Sequence, residues 1–209
     1  MNYRPILAGA CFYLCTMVAS NIQAQSTSAK SDLCIISGII ETQDLHPIKN
    51  VEVILTIPGQ VFPAATTTED GKYSFNIECS DLSASIKVSR NDFYRNGVST
   101  LDLIGIQKHL LGIDPFINPF VLVAADANNS RTVSAIDIVE LRKLLLGIYT
   151  ELPSNKSWRF VSKDHINQDT LHTGPFNEET TFLILNTSHA DVDFIGVKIG
   201  DINNTAKPD

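Results

Sequence analysis

A sixteen-residue pattern occurs twice in this chain, and it limits the possible folds more than any other feature. Residues 98–113 read VSTLDLIGIQKHLLGI, and residues 133–148 read VSAIDIVELRKLLLGI, 35 positions later. Each copy opens on Ser-x-x-Asp (Ser99/Asp102 and Ser134/Asp137), a capping box that satisfies the free N–H groups at a helix start. Each closes on a glycine, Gly112 or Gly147, the residue type that ends helices in the left-handed conformation. Between them Leu103, Ile106 and Leu110, then Ile138, Leu141 and Leu145, recur at helical spacing. Helices this short are marginal in water, so the pattern predicts two helices that pack together.

The lead-in to the second helix carries the clearest chemistry. Residues 126–137 read DANNSRTVSAID. An EF-hand-type loop places oxygen donors at positions 1, 3, 5, 7, 9 and 12, with a backbone carbonyl at 7 and often a water at 9. Here those positions are Asp126, Asn128, Ser130, Thr132, Ser134 and Asp137, and all six can offer oxygen. Val133, at position 8, is expected to point inward. The alternative is a Ser/Asn-rich turn that caps the helix and holds no metal.

The first copy is poorer. Counting back from Asp102 puts Asn91, Phe93 and Arg95 at positions 1, 3 and 5; sliding by one brings Asp92 and Asn96 into use but leaves the loop short. A degenerate turn is the favoured reading, with Asp92, Asn96 and Asp102 the candidates if a metal binds. The end of the chain, Gly200-Asp201-Ile202-Asn203-Asn204-Thr205, repeats the opening of such a loop. The chain stops before a twelfth position, so a strand cap is expected there and not a third site.

The loop-plus-helix duplication, with Asp at position 12, resembles the dockerin family over residues 91–148. The resemblance implies that Asp126, Asn128, Ser130, Thr132 and Asp137 ligate calcium, with Ser134 acting through water. The family carries Gly at position 6 where this chain has Arg131. Left-handed backbone at a non-glycine residue costs roughly 1 kcal/mol, which points to a weakened site. The resemblance further implies docking to a cohesin-type domain, often in polysaccharide-degrading assemblies. Docking would use Thr100, Leu101, Gln107 and Lys108, then Ala135, Ile136, Arg142 and Lys143; Leu101 and Ile136 can equally be core.

Residues 33–90 read as strands. Segments 34–41, 50–57, 60–68, 72–77 and 83–89 are short, β-branched or alternating, and separated by turn signals such as Pro58-Gly59 and Glu69-Asp70-Gly71, which predicts a small antiparallel β-sandwich. Ser37, Gly38, Pro47, Ile48, Val51, Val53, Thr68, Asp70, Gly71, Tyr73 and Phe75 carry a resemblance to the prealbumin-like, carboxypeptidase-regulatory or Cna-B type of sandwich in secreted bacterial proteins. Such modules usually act as spacers.

Residues 1–24 read as a signal peptide: Arg4, an apolar stretch over 5–19, and a small-residue exit at Ala24. The stretch falls short of the roughly 20 apolar residues that the alternative, a membrane anchor, requires. Residues 25–32 form a linker. Cleavage leaves Cys34 and Cys79, which in an exported protein more often pair than not; two separate thiols are the alternative. A bridge over so long a loop stabilises by about 4 kcal/mol in the chain-entropy picture. Strand-like runs return at 158–161, 181–185 and 194–199, separated by a polar stretch over 162–178.

The sequence therefore predicts a multidomain α and β chain: a small antiparallel β-sandwich (33–90), a two-helix dockerin-like calcium-binding module (91–150) and a short β-rich C-terminal segment (155–209). A net charge of −7 disfavours nucleic acid and anionic membranes and suits cation binding. No nucleophile elbow, P-loop or HExxH motif occurs. The five histidines, His46, His109, His165, His172 and His189, are scattered. The expected function is a secreted or cell-surface, non-catalytic calcium-binding interaction module that docks to a cohesin-type partner. The alternatives are a calcium-stabilised spacer, and a fragment or accessory of a carbohydrate-active enzyme.

Overall fold

Residues 33–79, 81–166, 178–184, 188–189 and 191–207 are described by a computed structural model. The expected signal peptide and most of the polar stretch, with His172, lie outside the described residues. Strict alternation shapes the first half. β1 (Leu33–Thr42) buries Cys34, Ile36 and Ile40, while β2 (Glu52–Ile57) buries Val53, Leu55 and Ile57. β5 (Lys72–Glu78) buries Tyr73, Phe75 and Ile77, and β6 (Leu82–Ser89) buries Ala84, Ile86 and Val88. The short β3 (Gln60–Val61) and β4 (Ala65–Thr66) both pair with β2. Cys34 and Cys79 are joined in a disulfide with their Cα atoms 5.1 Å apart.

These strands do not close a sandwich by themselves. β7 (Trp158–Ser162), β8 (Glu179–Ile184) and β9 (Phe194–Lys198) complete it. One sheet runs β5-β1-β9-β7, and the other runs β3-β2-β6-β8 with β4 also on β2. β1 changes partner along its length. Its first part is antiparallel to β5 from Leu33↔Glu78 to Ile39↔Lys72, and Ile40, Glu41 and Thr42 then pair in parallel with Phe194, Ile195 and Gly196. β8 extends the second sheet by pairing along β6 from Leu82↔Ile184 to Lys87↔Glu179.

Three helices fill the connection between β6 and β7: α1 (Thr100–Leu110), α2 (Pro119–Ala125) and α3 (Ala135–Leu145). Ser99 and Ser134 close complete capping boxes with Asp102 and Asp137. Gly112 and Gly147 adopt φ of 68° and 74°, as helix-ending glycines do. α2 has its own start signal, an Asn118 cap followed by Pro119 at the first helical position.

Because successive strand side chains point to opposite faces, β7 and β9 serve two cores. Trp158, Phe160 and Phe194 join the sandwich core with Ile36, Ile40 and Ile86. Val161, Val197 and Ile199 join a second core with Ile106, Val123, Leu141 and Leu144 of the helices. The helices thus form a layer on the outer face of the β9-β7 edge.

This corrects the expected succession of three modules. The described residues form a β-rich fold of two sheets and three short helices, and not a sandwich followed by a two-helix module. The two packed helices of the duplication are present, with α2 as a third, but they lie inside the sandwich's connectivity. The supposed C-terminal segment supplies three of its strands. The physical reason is register: β1 and β6 each leave one edge open, and β9 and β8 fill them.

A chain ending at residue 150 therefore lacks the partners of β1 and β6 and loses most of the support for the helices. It should give no cooperative thermal transition by circular dichroism. A sharp transition from such a chain would restore the picture of a self-sufficient sandwich.

Candidate metal centre

Asp126 caps the C-terminal end of α2, and Asp137 stands in the first turn of α3. The chain between them folds over the Asp126 carboxylate: Oδ1 accepts from Ser130 N at 2.9 Å and Oδ2 from Arg131 N at 2.6 Å. Asp137 Oδ2 accepts from Ser134 N and Oγ, and its Oδ1 accepts from Asn128 N at 3.1 Å. Ser130 Oγ donates to the Thr132 carbonyl at 3.0 Å. The six expected residues are therefore linked in one hydrogen-bonded network. Val133 packs partly against the helical core. Arg131, at the glycine position, adopts φ 64°, the left-handed conformation the loop requires. Asn155 and Arg159 hold the loop from outside, through the Asp126 carbonyl at 2.9 Å and Asn129 Oδ1 at 2.7 Å.

The first copy is built differently from expectation. Asp92 does not face Asp102; it pairs with Arg90 Nε at 2.9 Å, and its backbone N–H donates to Ser157 Oγ. Asn96 Oδ1 accepts from Lys207 N. What meets Asp102 is the segment that repeats a loop opening, 201–206. Asp201 Oδ1 accepts from Thr205 N at 3.1 Å and Oδ2 from Ala206 N at 2.7 Å, the same offsets of four and five residues seen at Asp126. Asn204 has φ 54°, matching Asn129 at 58°. Thr205 Oγ1 donates to the Gly97 carbonyl at 3.1 Å, as Ser130 does to the Thr132 carbonyl. Asp102 Oδ2 takes Ser99 N and Oγ, and its Oδ1 takes Ile202 N at 3.0 Å.

Gly97 occupies the position of Thr132 when the two copies are aligned. Residues 201–206 thus supply the front half of a loop, and residues 97–102 the back half. The two halves are separated by about half the chain.

Burial gives both sites a common electrostatic problem. Asp102 and Asp137 have no exposed surface, Asp201 is 2% exposed and Asp126 is 8% exposed. Among the described residues none of the four is in an ion pair. Burial pushes the Asp126 and Asp201 carboxyls above the ordinary range, and the backbone N–H donors oppose the shift. Asp137 adds a smaller repulsion at Asp126, as Asp102 does at Asp201. Lys198 lies within electrostatic reach of Asp201, but its ammonium donates to the Tyr94 and Ser157 carbonyls, and burial pushes its pKa down to about 8.

A divalent cation at each site would balance two carboxylates charge for charge. The donors are carboxylate, amide, hydroxyl and backbone carbonyl oxygens, a hard set that fits calcium, whereas zinc sites draw on thiolate and imidazole. Among the described residues no three His, Cys, Asp or Glu side chains gather at one point. No family model matches the chain, and neither a search of curated proteins nor a search of solved structures returns a match.

The raised carboxyls set a sign for pH. Groups whose folded pKa exceeds the unfolded value contribute stability at low pH that is lost as pH rises through the folded pKa. In chelator, Asp126→Asn and Asp201→Asn should therefore gain stability over the parent as pH rises from the ordinary carboxylate range to neutrality, read by urea denaturation. With calcium the order at neutral pH should reverse.

Proposed function

We propose that this chain is a secreted, non-catalytic calcium-binding module in which two calcium ions fasten a helical layer to a β-sandwich. The observation that carries the reading is the likeness of the two sites: Asp126 and Asp201 accept from the N–H groups four and five residues on, and Asp137 and Asp102 cap their helices in the same way, although one loop is continuous and the other is divided. The charge balance supports it further, because buried unpaired carboxylates are costly. With two carboxylates per site and Arg131 at a glycine position, the affinity falls in the range of extracellular modules, ~10⁻⁴ M. At a hundredfold excess over Kd, each site adds about 2.7 kcal/mol of stability.

A second reading has its own support. Leu101 and Ile136, at the positions through which dockerins meet cohesins, are 67% and 58% exposed. Ile104 and Val139 continue each face at partial exposure. Their exposure supports a cohesin-type partner on these faces.

Calorimetry on chelator-treated protein should give two calcium ions per chain. Asp126→Ala and Asp201→Ala should each remove one. One ion per chain, unaffected by Asp201→Ala, would overturn the divided site, and no heat at all would overturn the calcium reading. A cohesin panel in calcium then separates docking from a purely structural role.

A further inference from the structure

We infer that calcium at the divided site works as a latch: its occupancy closes residues 201–207 over α1, and its loss opens that segment while the continuous loop stays folded around its own ion. The inference rests on the calcium reading above and adds to it a division of labour between the two sites.

The continuous loop draws all its side-chain donors from twelve consecutive residues, so its ion orders one local turn. The divided site must bring together two segments that are joined through the helices and three strands. Residues 201–207 follow β9 and run back along the helical layer, touching several elements at once. Ile202 lies over Gly105, where an added Cβ would sit 2.3 Å from Ile202 Cδ1. Ala206 lies over Gly97, where an added Cβ would sit 2.6 Å from its backbone. Asn204 Nδ2 donates to Asp44 Oδ2 at 2.8 Å in the turn after β1. Gln43 of the same turn accepts from Asn118 Nδ2, the cap of α2, at 2.8 Å. The segment thus sits where the sandwich, α1 and α2 converge.

Its apolar hold is limited, and its bonds to Asp44, Asn96 and Gly97 are made at exposed positions. Ile202 and Ala206 are its apolar contributions and both are only partly buried, while Asn203, Thr205 and Lys207 are exposed. Segments with few buried apolar contacts open with small free energies. Against closure stands the repulsion of Asp102 on Asp201, two buried carboxylates across the seam. A cation between them turns the sign of that interaction from repulsive to attractive, and the stem β9 remains held in its sheet throughout. Closure is therefore decided at the seam by the ion.

Peptide-resolved hydrogen exchange on the full chain, in calcium and in chelator, tests this. Calcium should slow exchange by roughly tenfold or more in 202–207 and in 96–102 together, as expected for closing a locally unstable segment. Asp201→Asn should abolish the response in both peptides and leave that of 126–137 intact; Asp126→Asn should do the converse. Gly97→Ala keeps every carboxylate but collides with Ala206, and it should abolish the response of 202–207. The latch is overturned if calcium protects 126–137 alone, a result that leaves the calcium reading standing at the continuous loop. It is equally overturned if 202–207 is fully protected in chelator. Absence of any calcium response overturns both.

Discussion

Strand β9 is the element on which the rest of the arrangement depends. It lies between β1 and β7, so neither of its edges is free, and both of its faces are covered. Phe194 faces the sandwich core while Val197 and Ile199 face the helices. Gly196 is required by this double duty: a Cβ there would sit 2.3 Å from Ile48 Cδ1 and press on the Phe160 ring. Parallel pairing with β1 in turn demands a long crossover, since a tight hairpin joins only antiparallel neighbours. The strand also ends where the divided loop begins, so placing β9 places Asp201.

The four buried carboxylates follow from the same geometry. Asp102 and Asp137 serve first as capping residues, which places them in the first turns of α1 and α3. Packing the helices onto β9 and β7 then removes them from water. Asp126 and Asp201 stand at the exits of α2 and β9, opposite these caps. The Asp126–Asp137 pair is built within one local loop between α2 and α3, whereas Asp201 meets Asp102 only when the helical layer docks on β9. Backbone N–H groups share the load, but they are dipoles, and two buried carboxyl groups remain at each seam. This explains why, among the described residues, the buried acids gather in two small loops.

Much of this was legible in the sequence, and the failures share a cause. The duplicated helices, with Ser99/Asp102 and Ser134/Asp137 at their starts and Gly112/Gly147 at their ends, rest on local signals and match α1 and α3. The alternation of 34–41, 50–57, 72–77 and 83–89 is likewise a short-range pattern and matches β1, β2, β5 and β6, whereas the single strand expected over 60–68 is the two short strands β3 and β4. Pairings over long separations, such as Ile40 with Phe194, leave no local trace. β7 and β9 also lack clean alternation because both faces are buried. α2 leaves only the start signal Asn118-Pro119, since its seven residues carry too little periodicity to stand out. The divided loop is half visible twice: Asp102 belongs to a loop end with an incomplete ligand set before it, where Asp92 and Asn96 are the candidates, and Asp201 to a loop start with no end after it. Counting ligands along the chain sets each aside; counting them as complementary halves would have joined them.

The central claim is that one of the two cation sites is assembled from distant segments. Crystals grown in calcium, with diffraction recorded where calcium scatters anomalously, address it directly. The account predicts two anomalous peaks, one between Asp126 and Asp137 and one between Asp201 and Asp102 near the Gly97 carbonyl. A single peak at the continuous loop, or a second peak held by Asp92 and Asn96 in place of Asp201, would contradict it.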